Sequence, residues 1–87
     1  MSLGYRLIYH KAALKYLAKQ EKFVQKRIAI GLRGLLEDPP IGDIKPMKGR
    51  AGLYRLRLGM LRVLFRIGQH EKIIYIEVIG SRGDIYK

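Results

Sequence analysis

Alternation of apolar and polar residues is strongest between Tyr54 and Ile67. On both sides of Gly59 every second residue is apolar, and a period of two is typical of a half-buried strand. Gly59 followed by Met60 fits a two-residue type II′ turn, because the first central position of that turn requires a positive φ. The pattern therefore predicts a β-hairpin over residues 53–67 with its turn at Gly59-Met60.

This turn sets the register of the predicted hairpin, and the register sorts the side chains onto two faces. Arg57 is placed opposite Arg62, and Arg55 opposite Leu64. One face is apolar and carries Tyr54, Leu56, Leu58, Leu61, Val63 and Phe65. The other face, here called the arginine face, carries Arg55, Arg57, Arg62 and Arg66.

The arginine face suggests a phosphate-rich partner. No acid occurs between Lys45 and Arg66, and two arginines directly opposite each other repel at a cost of up to about 1 kcal/mol. A bound polyanion would remove that cost. The alternative is that these arginines are solvated positions on a sheet, where long cationic side chains discourage edge aggregation.

The rest of the chain predicts two helices and two further strands. Two glycines within the second helix, Gly31 and Gly34, indicate close packing against the sheet or the first helix. Aromatic and β-branched content predicts a strand over residues 5–10, and helical spacing of apolar residues predicts helices over Lys11–Lys19 and Lys22–Leu36. A loop is predicted over residues 37–50, and an apolar run predicts a final interior strand over Lys72–Ile79.

The order βααβββ predicts an α+β fold, with a small, mostly antiparallel sheet and a helical hairpin on one of its faces. Residues 1–87 are expected to form a single domain. Because the helices cover the apolar face, the arginine face is left for a ligand. Arg82 and Tyr86, which follow the last strand, are expected to reach the edge of that face.

Composition narrows the classes of function. The chain has 18 Lys and Arg against 7 Asp and Glu, for a formal net charge of +11. This charge is typical of a nucleic-acid binder, although it would also favour binding to an anionic membrane or to an acidic protein. Without cysteine, and with two isolated histidines, no disulfide, zinc site or other cofactor is expected. No apolar run is long enough to span a bilayer and no secretory signal is present, so a cytoplasmic location and no membrane partner are expected.

The order and spacing of several short motifs closely resemble the RelE/ParE superfamily of bacterial and archaeal toxins. The resemblance covers nearly the whole chain and includes the first strand and the helical hairpin. The motifs are Met47-Lys48-Gly49, Tyr54-Arg55-Leu56-Arg57-Leu58-Gly59, Leu61-Arg62-Val63-Leu64-Phe65-Arg66 and Gly80-Ser81-Arg82-Gly83-Asp84-Ile85-Tyr86.

The resemblance implies the fold predicted above and two candidate activities. Members of the RelE branch are mRNA interferases that cleave the message in the ribosomal A site. In that reaction the 2′-hydroxyl attacks the adjacent phosphodiester without a metal, leaving a 2′,3′-cyclic phosphate and a 5′-hydroxyl. Members of the ParE branch share the fold but inhibit DNA gyrase without an enzymatic reaction. A member that only binds RNA or its antitoxin is a third alternative.

The resemblance also assigns residue roles. Arg62 matches the third-strand arginine that contacts the scissile phosphate, Arg82 the arginine after the last strand, and Tyr86 the tail tyrosine that stacks on the substrate or orients it. Arg55 and Arg57 match a basic pair that is lysine in RelE. The catalytic candidates are therefore Arg57, Arg62, Arg82 and Tyr86, and the RNA-binding candidates are Lys45, Lys48, Arg50, Arg55 and Arg66.

Two departures from the family pattern affect proton transfer. Ser81 stands where many relatives have histidine, and arginine replaces lysine in the basic pair. A guanidinium stays protonated far above neutral pH, so these side chains are better suited to stabilising charge than to moving protons.

The partners implied by the resemblance are mRNA on the ribosome, ribosomal RNA and a small acidic antitoxin of the RelB type. Attraction between the +11 chain and a disordered acidic segment would speed their association. The antitoxin is expected to cover the arginine face or to displace the tail that contains Tyr86.

Overall fold

The structure is a computed structural model and describes residues 4–37 and 39–81. The order of its elements follows the spacing of apolar residues, which is helical in most of the first half of the chain and strand-like in the second half. They are β1 (Arg6–Tyr9), α1 (Lys11–Ala18), α2 (Lys22–Arg33), a 3-10 turn (Gly34–Leu36), β2 (Asp43–Pro46), β3 (Leu53–Leu58), β4 (Leu61–Gly68) and β5 (Ile73–Ser81).

Five strands form one sheet in the order β1-β5-β4-β3-β2. β1 pairs with β5 in parallel, whereas the other neighbouring strands pair antiparallel. The prediction of an α+β fold with a mostly antiparallel sheet is therefore confirmed. β5 lies between β1 and β4, which agrees with the interior position expected from its apolar composition.

The prediction of an unbroken loop over residues 37–50 is wrong, because Asp43–Pro46 forms the edge strand β2. This segment pairs with β3, with Asp43 opposite Arg57 and Lys45 opposite Arg55. Asp43 and Lys45 alternate with Ile44 and Pro46, but four residues that include a proline give too weak a pattern to predict a strand. Proline is tolerated there because an edge strand leaves one row of backbone groups unpaired.

The ends of other elements also differ from prediction. α1 ends one residue early, at Ala18, and the predicted helix to Leu36 tightens into the 3-10 turn from Gly34 onward. Such tightening is common at helix ends, where the final carbonyls lack partners one turn further on. The last strand begins at Ile73 and continues to Ser81.

The hairpin of β3 and β4 has the predicted register. Arg57 lies opposite Arg62, and Leu58 opposite Leu61. Gly59 has a φ of +62° and Met60 is not in the positive region, as expected for a type II′ turn. The alternation therefore places one set of side chains toward the helices and the other set on the opposite face.

The core lies between the sheet and the helical hairpin. Leu56, Val63 and Phe65 from the sheet and Ile28 and Leu32 from α2 are all fully buried in one cluster. The close approach expected at the α2 glycines also occurs. A β-carbon at Gly31 would collide with the Leu58 side chain, and one at Gly34 would lie 2.5 Å from the Ile41 carbonyl oxygen.

A β-bulge interrupts the pairing of β4 with β5. Leu64 pairs with Val78 and Phe65 with Ile76, so Glu77 is the extra residue. Its carboxylate Oε2 lies 3.8 Å from Nε of Arg66. The bulge thus brings a carboxylate to the arginine face.

His10 joins the sheet to α1 and caps the first turn of that helix. Its backbone N–H donates to the Ile76 carbonyl at 2.8 Å, and its Nδ1 accepts from the Ala12 N–H at 3.1 Å, capping α1. His10→Ala removes the capping acceptor and should lower the free energy of unfolding by about 1 kcal/mol. His10→Asn retains an acceptor and should stay within about 0.5 kcal/mol of the wild type. Urea denaturation measures both, and equal stability of the two variants would contradict a capping role.

Candidate nucleic-acid interface

Two rows of side chains cross the arginine face near the Gly59 turn. Strand register places Asp43, Arg57, Arg62 and Gly80 in the first row, and Lys45, Arg55, Leu64 and Val78 in the second. The structure therefore brings together four of the predicted basic residues. These four, Lys45, Arg55, Arg57 and Arg62, are here called the turn-end cluster.

Asp43 lies between two arginines of this cluster. Its Oδ1 is 3.3 Å from Nη2 of Arg55, and its Oδ2 is 3.5 Å from Nε of Arg57. No acid occurs between Lys45 and Arg66 in the sequence, but β2, which was not predicted, brings Asp43 to the arginine face. Asp43 offsets part of the repulsion among the arginines.

Arg62 is only 7% exposed, so it does not fit the alternative interpretation of the arginines as solvated positions. Its guanidinium bends back onto the turn, where Nη1 donates to the carbonyls of Gly59 at 3.1 Å and Leu61 at 3.2 Å. Both carbonyls are neutral, so these contacts satisfy donors without neutralising the charge.

Two guanidinium nitrogens of the turn-end cluster have no partner. Nε of Arg55 and Nε of Arg62 are buried and make no hydrogen bond within the described part of the chain. A buried donor without an acceptor costs about 1 to 3 kcal/mol, and more when the group is charged. An anion that reached these nitrogens would remove that cost.

The remaining predicted basic residues lie at the other end of β3. Lys48 and Arg50 are in the loop that precedes Leu53, whereas the turn follows Leu58, and a six-residue strand spans about 17 Å. Arg66 lies opposite Leu53, and its Nη1 donates to the Ala51 carbonyl at 3.3 Å. Lys48, Arg50 and Arg66 are here called the loop-end group, and the structure does not bring them to the turn-end cluster.

The face between these two groups is partly apolar. Leu64, directly opposite Arg55, is 5% exposed, and Leu53, directly opposite Arg66, is 4% exposed. Cationic positions and buried apolar positions therefore share this face.

Arg82 and Tyr86 lie outside the described residues, so their assigned roles remain predictions. The described part of β5 ends at Ser81, which pairs with Leu61, next to the row that contains Arg62. The segment with Arg82 and Tyr86 continues the chain from this point.

Sequence reasoning did not identify Asp43 and Glu77 as neighbours of the arginines. Asp43 is 12 residues from Arg55, and Glu77 reaches Arg66 only through the bulge, so neither contact has a local signal. Among residues 4–37 and 39–81, no three His, Asp or Glu side chains are grouped to hold a metal. No helix in the same ranges is long and apolar enough to cross a membrane.

Comparison with known proteins identifies the family and the fold of this chain. A model of the ParE toxins of type II toxin-antitoxin systems matches residues 5–86. The chain therefore belongs to the RelE/ParE superfamily, whose members are toxins of type II toxin-antitoxin systems. No curated protein gives a significant match.

Solved structures of toxin-antitoxin complexes share the fold. A chain of the archaeal RelE-RelB complex from Pyrococcus horikoshii OT3 is 29% identical with a TM-score of 0.78, over 97% of this chain and 99% of that chain. A chain of the RelBE2 complex from Mycobacterium tuberculosis is 24% identical with a TM-score of 0.75, over 90% and 98%. A chain of the RelBE complex from E. coli is 21% identical with a TM-score of 0.75, over 90% and 96%.

The contacts of Asp43 predict how its removal changes anion binding. Asp43→Asn frees donors on Arg55 and Arg57 and raises the local charge by one, so affinity for single-stranded RNA at low salt should increase about 3- to 10-fold. The two ion pairs are partly exposed, so the free energy of unfolding should fall by at most about 1 kcal/mol. Fluorescence anisotropy with labelled RNA measures the affinity.

Glu71→Gln is the matched control, because Glu71 is exposed, follows the end of β4 that lies away from the Gly59 turn, and makes no ion pair among residues 4–37 and 39–81. It makes the same charge change away from the turn-end cluster and should alter RNA affinity by less than about 2-fold. Unchanged or weaker binding by Asp43→Asn would contradict the interpretation that Asp43 competes with an anion for the arginines.

Proposed function

We propose that this toxin is a ribosome-dependent mRNA endonuclease of the RelE type that acts in the cytoplasm on mRNA in the ribosomal A site. The observation that carries the proposal is the pair of buried guanidinium nitrogens, Nε of Arg55 and Nε of Arg62, that lack acceptors in the described structure. Phosphate oxygens are the acceptors that a guanidinium binds best. A scissile phosphate that reached these two nitrogens on the sheet face opposite the helices would satisfy them.

The proposed reaction is a transfer within the RNA chain. The 2′-hydroxyl loses its proton as its oxygen forms a bond to the neighbouring phosphorus, and the bond from phosphorus to the 5′-oxygen breaks as that oxygen takes up a proton. The products are a cyclic phosphate and a 5′-hydroxyl, so the net proton movement is from the 2′-oxygen to the 5′-oxygen. Negative charge builds up on the phosphorane oxygens in between. Arg57 and Arg62, which lie opposite each other on β3 and β4, would stabilise that charge.

This assignment gives the arginines charge stabilisation and no proton transfer, because guanidinium groups stay protonated. Arg82 is proposed as a further cation at the phosphate, and Tyr86 as a residue that stacks on the substrate or orients it. Lys45 and Arg55 would hold the RNA strand beside the scissile phosphate. Lys48, Arg50 and Arg66 of the loop-end group would track phosphates further along the RNA or on ribosomal RNA.

An acidic antitoxin is the proposed inhibitor. The related structures from Pyrococcus horikoshii, Mycobacterium tuberculosis and E. coli are toxin-antitoxin complexes. A carboxylate-rich segment could satisfy the guanidinium groups of the turn-end cluster as Asp43 already does for Arg55 and Arg57. Binding there would exclude RNA from the same face.

Arg62→Lys tests the catalytic assignment. Lysine keeps a positive charge but loses the planar fork, so the cleavage step should slow by roughly 10- to 1,000-fold while binding changes little. Single-turnover cleavage on saturated ribosomes, with detection of cyclic-phosphate ends, separates the chemical step from affinity.

Arg66→Lys is the matched control for this experiment, because it makes the same replacement on the same strand but in the loop-end group. Its cleavage rate should stay close to that of the wild type. Since Arg62 also bonds the turn, thermal unfolding of both variants must show that they are folded. Cleavage by folded Arg62→Lys at the wild-type rate would make the arginine face a docking surface only.

Inhibition of DNA gyrase is the second candidate function. It is favoured by the match to the ParE family model and by Ser81 at the position where many RelE relatives have histidine. If the chain acts in this way, the purified toxin should block supercoiling of relaxed plasmid by gyrase and leave mRNA on ribosomes intact. If it is an mRNA endonuclease, supercoiling should proceed normally while A-site cleavage occurs. The two assays run in parallel distinguish these outcomes.

A further inference from the structure

Arg27 on α2 contacts the turn of the β3-β4 hairpin. A β-carbon at Gly59 would lie 2.6 Å from Nη2 of Arg27, closer than nonbonded atoms approach. Gly59 also has a φ of +62°, which favours glycine. The turn therefore requires glycine for two reasons, and one of them is the space that the Arg27 guanidinium occupies.

Two guanidinium groups consequently meet at one residue. Nη1 of Arg62 donates to the Gly59 carbonyl at 3.1 Å, and Arg27 lies against the α-carbon of the same glycine. The ion pairs found among residues 4–37 and 39–81 involve Arg55, Arg57 and Arg66, and none involves Arg27 or Arg62. The fold therefore places two cations at one turn without a carboxylate to offset them.

Arg27 is exposed, whereas Arg62 is buried, so Arg27 presents its charge to solvent at the end of the arginine face. Neighbouring positions on α2 do not neutralise it, because Lys26 precedes it in the chain and Lys22 and Arg33 are also basic. Favourable binding of an extended polyanion requires cations spaced along its path. Arg57, Arg62 and Arg27 provide such a path across the turn.

We propose that Arg27 is a phosphate-binding residue that extends the turn-end cluster onto α2, so that a single RNA strand crosses the Gly59-Met60 turn. This inference rests on the proposed function for the identity of the polyanion. It adds a contact on the helical layer, outside the sheet face on which the other basic candidates lie. The competing interpretation is that the aliphatic part of Arg27 only packs over the turn.

Arg27→Gln tests the proposal because glutamine keeps much of the aliphatic stem and removes the charge. The probe is a fluorescein-labelled single-stranded RNA with 2′-O-methyl groups, which cannot undergo attack by a 2′-hydroxyl. Loss of one phosphate contact should weaken binding about 3- to 10-fold at low salt and reduce the slope of log K against log salt by about 0.7. Arg27→Lys should recover most of the affinity.

Arg33→Gln is the matched control, since Arg33 is an exposed arginine at the other end of the same helix, about 9 Å along the axis from Arg27. It should alter affinity by less than about 2-fold. Equal effects of the two substitutions would overturn the proposal, because they would reflect overall charge.

The readout also separates this inference from the proposed function. Binding of the 2′-O-methyl RNA involves no cleavage, so the two hypotheses can fail separately. If the wild type leaves ribosome-bound mRNA intact but Arg27→Gln weakens RNA binding, the endonuclease is contradicted and the Arg27 contact is supported. If the wild type cleaves mRNA but Arg27→Gln leaves RNA affinity and salt slope unchanged, the endonuclease is supported and the Arg27 contact is contradicted. Unchanged thermal unfolding of the variant confirms that affinity, and not folding, has been measured.

Discussion

The two-residue turn at Gly59-Met60 determines where nearly every functional side chain lies. Because side chains alternate along a strand, a shift of one residue in the pairing of β3 with β4 would move the arginines into the core and Leu56 and Phe65 to the surface. Gly59 prevents this shift through its positive φ and through contacts with Arg27 and Arg62 on its two sides. Gly59 thus fixes the register of the hairpin and is the residue at which the Arg27 and Arg62 guanidinium groups meet.

Much of the fold was predictable because its signals are local. Alternation in the β3-β4 hairpin and helical spacing before it predicted the elements and their faces, and the structure confirmed them. β2 was missed because Asp43–Pro46 is only four residues long and contains a proline, and it becomes a strand only by pairing with β3. This strand depends on tertiary contacts, which local periodicity cannot predict.

The candidate site was likewise predictable only where its signals are local. Basic residues on one face followed from alternation, so Arg55, Arg57 and Arg62 were predicted together. Their partners were not, because Asp43 reaches Arg55 and Arg57 through strand pairing and Glu77 reaches Arg66 through a bulge. The burial of Arg62 likewise depends on how its side chain folds back onto the turn, which no sequence period encodes.

The two guanidinium Nε atoms that lack acceptors among the described residues connect stability with function. A chain selected for stability alone would not keep Arg57 opposite Arg62, nor leave these two buried Nε atoms without acceptors in the described structure. Asp43 relieves part of this strain and leaves the rest available to a ligand. RNA phosphates and antitoxin carboxylates satisfy guanidinium donors in the same way, so each would gain free energy from the same unpaired atoms. If RNA is the substrate and the antitoxin binds the same face, as proposed, competition between them would follow from electrostatics, without a conformational switch.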